Sequence, residues 1–189
     1  MIRSYKGLQF AVALLVTLWL LSAASRAQEF IISQAQSILL DENYVINAEI
    51  EYHFSEVALK ALENGVPLLV DLHVQLRRKG AWIWEADVVD YHFRRQLRYL
   101  PLSESYEVVD IADGSKRHFV SQSVALEALG EINELPLVAA QKLQAGESYR
   151  VEIKSELDIE ALPVPLRPTA YMSSQWKLSS EWNEWVITP

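Results

Sequence analysis

Pro67 to Arg77 reads as a strand, and from Val70 onward it alternates without a break. Val70, Leu72, Val74 and Leu76 are apolar, and Asp71, His73, Gln75 and Arg77 are polar. A period of two places the first set on one face of an extended strand and the second on the other. Such a strand has one dry face and must bury it against a second layer, so this stretch alone commits the chain to a packed sheet. Arg78-Lys79-Gly80 then predicts a hairpin-like turn into a long arm from Ala81 to Tyr99. In that arm Trp82 and Trp84 share a face while Val89, Tyr91 and Phe93 share the opposite one. A switch of this kind predicts a bulge or a strand that changes sheets.

The rest of the sequence repeats the theme. Ile31–Leu40 and Tyr44–Phe54 read as strands around the turn-prone Asp41-Glu42-Asn43. Tyr106–Ile111 and Lys116–Val120 flank Ala112-Asp113-Gly114-Ser115, a hairpin signal centred on Asp-Gly, and Tyr149–Ile159 alternates again after the turn at Leu143–Ser148. Two segments break the pattern. Ser55–Gly65 reads as a helix capped by Ser55 and ended by Asn64-Gly65, and Ser123–Ile132 places Val124, Leu126, Leu129 and Ile132 at helical spacing. Pro163, Pro165 and Pro168 predict an extended tail, with a last strand over Ala170–Leu178 and with Trp176, Trp182 and Trp185 packing back on the body. Short strands joined by tight turns predict a mainly β fold. The expected form is an immunoglobulin-like two-layer β-sandwich with one or two short crossover helices, and an up-and-down barrel with a helical lid is the alternative.

Residues 1–27 read as an address. Arg3 and Lys6 precede an uncharged apolar run, Leu8–Leu21, and Ser25-Arg26-Ala27 offers a small-residue cleavage site. A secretory signal is the expectation, with retention as an inner-membrane anchor the alternative, although the run is shorter than the roughly 20 residues that span a bilayer. Residues 28–189 then form a single β-rich domain. Losing Arg3, Lys6 and Arg26 takes the 17 basic residues to 14 against 25 acidic ones, a net charge of −11 that argues against nucleic acid as a partner. Cysteine is absent, which excludes disulfides, zinc–thiolate sites and cysteine nucleophiles and suits a bacterial periplasmic domain.

Chemistry is hard to find. No nucleophile elbow, phosphate loop or paired-histidine zinc motif occurs, and the glycines of the domain all fall in plausible turns. Asp87 and Asp90 could form a carboxylate pair for acid–base work, but an acidic chain produces such pairs by chance. His53, His73, His92 and His118, with Asp71, Asp87 and Asp90, could supply metal ligands only if the tertiary fold gathers them, because no two histidines stand at ligand spacing. The expectation is therefore no catalytic residue, no cofactor and no metal. Basic residues, in contrast, are concentrated. Eight of the 14 fall between positions 77 and 117, and Arg77, Arg78, Lys79, Arg94, Arg95 and Arg98 form a candidate partner-binding patch. The competing reading pairs them across strands with Glu85, Asp87, Asp90, Glu104, Glu107, Asp110 and Asp113. The tryptophans divide the same way, between an aromatic platform and ordinary core or tail docking.

Leu162-Pro163-Val164-Pro165-Leu166-Arg167-Pro168, then Ala170-Tyr171 and Trp176-Lys177-Leu178-Ser179-Ser180-Glu181-Trp182, resemble an uncharacterised proteobacterial family, the domain-of-unknown-function family four-three-nine-zero. Tyr44–Ala48 and the more specific Ala58–Leu68 stretch are similar to it too. The resemblance implies a signal-bearing envelope protein whose gene often lies beside a sensor kinase and its response regulator, and it supplies no catalytic residues. The expected function is an exported, non-enzymatic interaction module, an accessory to a two-component sensor kinase through that kinase's periplasmic domain. A periplasmic small-ligand or lipid carrier is the alternative.

Overall fold

The computed structural model describes residues 30–80 and 88–189. The signal segment 1–27, the Trp82/Trp84 face, Glu85 and Asp87 lie outside the described residues. In chain order the elements are β1 (Phe30–Leu40), β2 (Asn43–Tyr52), α1 (Glu56–Glu63), β3 (Leu68–Arg78), β4 (Val89–Leu100), β5 (Ser105–Asp110) and β6 (Lys116–Phe119). There follow α2 (Gln122–Gly130), β7 (Glu131–Ala139), β8 (Tyr149–Leu157), α3 (Arg167–Met172) and β9 (Asn183–Ile187).

The fold is mainly β and has two sheets, as the alternation predicts. One is three-stranded, in the order β1-β2-β7, and the other six-stranded, in the order β6-β5-β4-β3-β8-β9; every pairing is antiparallel. β3 is central to the larger sheet because its dry face carries the most continuous apolar set. Leu68, Val70, Leu72, Val74 and Leu76 are all buried there, against Ile46, Ile50 and Tyr52 of β2, Val151 and Ile153 of β8, and Leu129 of α2 in a single core. Burial of these side chains, worth roughly 1.5–3 kcal/mol each, holds the sheets together in place of disulfides.

The two crossover helices carry the chain between layers, α1 from β2 to β3 and α2 from β6 to β7. α1 begins and ends where its sequence signs stand. Ser55 Oγ accepts from the Ala58 N–H at 3.1 Å, Asn64 is the C-cap, and Gly65 takes φ +83°. Ala58 and Leu62, one turn apart, are its buried pair.

α2 differs from expectation. It stops at Gly130 and buries Ala125, Ala128 and Leu129, leaving Val124 exposed and passing Ile132 to β7. A close approach explains this: a Cβ on Gly130 would stand 1.8 Å from the Ile50 carbonyl oxygen of β2. Small residues let the helix lie that near the strand, so Ala125 and Ala128 are buried beside the expected Leu129.

The tail is also corrected. The expected strand over Ala170–Leu178 is instead the short helix α3 followed by turns, with Pro168 in the helix's first turn, where its missing N–H costs nothing. The last strand is β9, beyond it, paired with β8. Trp176 does pack into the core, and the Trp185 indole N–H donates to Ser37 Oγ at 3.0 Å, tying β9 to β1.

Candidate functional site

The polar face of β3 becomes the outer face of the larger sheet. Register places His73 opposite His92 of β4, Asp71 opposite Arg94, and Gln75 opposite Asp90. His73 and His92 are stacked, with ring centroids 4.4 Å apart and planes 17° apart. Each donates to a carboxylate: His73 Nε2 to Asp90 Oδ1 at 2.7 Å, and His92 Nδ1 to Asp71 Oδ2 at 2.5 Å. Asp71 is buried, although it belongs to the polar set of its strand, because His92 and Arg94 (Nε to Oδ1, 3.2 Å) close over it. The His73 bond holds the Asp90 carboxyl below the usual carboxylate range. Trp182, from the tail, stands 5.3 Å from the His73 ring and is half exposed.

One ligand atom from each of His73, Asp90 and His92 lies within 4.8 Å of the other two. The sequence singles out all three residues but contains no spacing that joins them. The missing information is register. A two-residue turn at Lys79-Gly80 would set His73 opposite Ala86, whereas the observed pairing sets Leu76 opposite Val89 and so brings the histidines face to face. His53 and His118 are elsewhere, beside Glu51 and Glu107 respectively.

The six basic residues singled out in sequence occupy different places. Arg77 and Arg78 lie at the far end of β3, opposite Arg150 and Tyr149 of β8, and the Lys79 backbone N–H donates to the Ser148 carbonyl at 2.8 Å. Arg94 is opposite Asp71, six residues back along β3 from Arg77, or ~20 Å in an extended strand. Arg98 pairs with Glu107 at 3.7 Å. Arg95 points to the opposite face from Arg94. Its guanidinium donates to the carbonyls of Ala128, Leu129 and Glu131 at 3.5, 3.3 and 2.6 Å and lies 3.8 Å from Asp110. Arg117 joins it on the Ala128 carbonyl at 2.5 Å. These two cations satisfy the carbonyl end of α2, where positive charge is favoured. Glu107 and Asp110, two of the acidic partners expected for cross-strand pairing, thus take up Arg98, Lys116 and Arg95.

A different feature stands out at the sheet margins. Among the described residues the edge strands are β1 and β7 of the small sheet and β6 and β9 of the large one. β7 carries Pro136 and two glutamates, β6 is four residues with a lysine and an arginine, and β9 is five residues with Glu184. β1 has eleven residues, FIISQAQSILL, with neither charge nor proline. Ile31, Ile38, Leu39 and Leu40 are between 37% and 57% exposed on it. Between β2 and α2 opens a surface cleft of about 650 Å³, lined by Ile50, Leu59 and Leu126 together with the exposed carboxylates Glu49, Glu51 and Glu127.

Among the described residues no helix is long and apolar enough to cross a membrane. No curated protein and no solved structure matches the chain. One family model does, over residues 27–186, which includes every described element but the last residue of β9. The chain belongs to the family described as a domain of unknown function, DUF4390.

Proposed function

We propose that the chain is a non-enzymatic interaction module of the bacterial envelope that receives a partner strand on the outer edge of β1. The observation that carries this reading is the contrast between edges. A sheet edge presents unpaired N–H and C=O groups and invites another strand, so sheets are ordinarily protected there by charge, proline or brevity. β6, β7 and β9 are protected in these ways; β1 is long, uncharged and apolar, in a chain whose composition is 22% charged. Strand addition would draw affinity from main-chain hydrogen bonds and selectivity from Ile31, Ile38 and Leu40, which take alternate positions outside the bulge near Ser33. The family resemblance suggests the partner, the periplasmic domain of a sensor kinase, with the N-terminal segment delivering the domain to the periplasm or holding it at the inner membrane.

The carrier alternative has less support. The space between the sheets is filled by side chains such as Ile46, Leu62, Leu76, Val151 and Ile153, all fully buried. The β2–α2 cleft is bordered by carboxylates that repel an anionic lipid headgroup.

Replacing Ile38 and Leu40 together by lysine tests the reading. Both side chains are exposed, so the thermal midpoint should hold while in-cell crosslinking to the kinase's periplasmic domain is lost. Undiminished crosslinking by the folded double variant would contradict docking at this edge.

A further inference from the structure

The geometry points to a divalent transition-metal site on the outer face of the larger sheet, formed by His73 and Asp90 with His92, and positioned by Asp71; we propose that it binds Zn2+ or a similar borderline ion. Two imidazole nitrogens and one carboxylate oxygen are the donor set such ions prefer, and three protein ligands leave a further position for water or a partner's side chain. Adjacent strands fix the placement, since His73 and His92 are directly paired in register and Asp90 comes from the same strand as His92.

The arrangement around these groups distinguishes them from a chance surface cluster. Asp71 is buried and accepts from His92 Nδ1, which fixes the ring's tautomer and leaves Nε2 as the unprotonated nitrogen of the neutral ring. A carboxylate behind a histidine is the usual support of a metal-bound imidazole, because it orients the ring and raises its basicity. Arg94 offsets the charge of Asp71, so the Asp90 carboxylate remains to attract the cation. Lys154, which lies opposite His73 on β8, is drawn away to Glu156 at 3.3 Å.

On binding, His73 ligates through Nε2 as the neutral ring with its proton on Nδ1, so the hydrogen bond to Asp90 Oδ1 is given up and the tautomer changes by proton exchange with solvent. The two atoms, now 2.7 Å apart, must part to ~3.4 Å to be neighbouring ligands of a tetrahedral ion, and the other separations in the set, all within 4.8 Å, must settle to the same value. Asp90 and His92 are exposed, which gives both adjustments room.

Titration of the purified full chain with Co2+, followed by visible absorption and by the fluorescence of Trp182, tests the site. One ion per chain is expected, with the strong visible bands of a low-coordinate nitrogen–oxygen site and quenching that disappears in Trp182→Phe. Asp90→Asn, which alters an exposed side chain and leaves the fold intact, should weaken binding at least about tenfold, as should His92→Gln, and Asp71→Asn should weaken it by about 10–100-fold. His53→Gln and His118→Gln should change nothing. The proposal is overturned by the absence of any binding tighter than about 100 µM, or by binding that persists unchanged in Asp90→Asn and His92→Gln.

Discussion

Gly130 and Arg95 show how much of this fold rests on single side chains at the end of α2. Gly130 lies where the helix hands over to β7, and the Ile50 carbonyl fills the place a Cβ would take. All the atoms it would meet belong to the Ile50 backbone, so Gly130→Ala must push a helix end away from the strand beneath it. A loss of about 3 kcal/mol or more in urea-unfolding free energy is expected, and a loss under about 1 kcal/mol would mean that the close approach is relieved cheaply. Arg95 is the second such residue. It resembles Arg94 and Arg98 in sequence, but its guanidinium is bound to helix-end carbonyls whereas theirs are half exposed over the buried carboxylates Asp71 and Glu107, the latter also held by Lys116 and His118. Arg95→Ser should therefore cost about 2 kcal/mol, while Arg98→Ser should cost under about 1 kcal/mol. Equal effects of the two on the thermal midpoint would contradict the assignment.

What can be read at the level of elements follows how local each signal is. α1 is legible because Ser55, the Ala–Leu run and Asn64-Gly65 lie within one short stretch and each acts on its own backbone. β3 and β8 are legible because two buried neighbours keep their alternation intact. β7 is not. Its pairing with β2 shifts register between Tyr44 and Val45 and again between Ile46 and Ala48, so Ile132, Leu135, Leu137 and Val138 no longer follow a period of two. Pro136 also argues against a strand unless the strand is an edge, which only the assembled sheet reveals. The histidine pair belongs to the same class of hidden information. Residues that alternate along β3 and β4 are visible individually, but the segment between Arg78 and Val89 decides which of them meet, and its length does not translate into a register. The edge character of β1, conversely, is written in its composition and becomes meaningful once its place in the sheet is known.

At the scale of the molecule, an uncrosslinked core makes stability answer to what is buried in it. Tyr52 is one such group. Burial pushes its phenol up to about 12, and the hydrogen bond shared with Ser155 Oγ at 3.1 Å only partly opposes this. The unfolded chain loses that proton near pH 10 while the folded chain keeps it to about pH 12. Between those values the native state binds more protons, so its stability falls as pH rises; below pH 10 the contribution is constant. Tyr91, also raised to about 12 by burial, acts in the same direction. Urea midpoints measured from pH 9 to 12 should decline, and Tyr52→Phe should make the decline shallower, by up to about 1.4 kcal/mol per pH step of one within that window. An unchanged slope in that variant would assign the alkaline sensitivity to other groups.

The docking of a partner strand proposed for β1 is tested most directly by a photo-crosslinking amino acid placed at Ile38. Val186, exposed on the protected edge β9, serves as the comparison position. Irradiation in the native host should join position 38 to the sensor kinase's periplasmic domain and give no such product from position 186. Crosslinks to that domain from position 186 with none from position 38 would contradict the account.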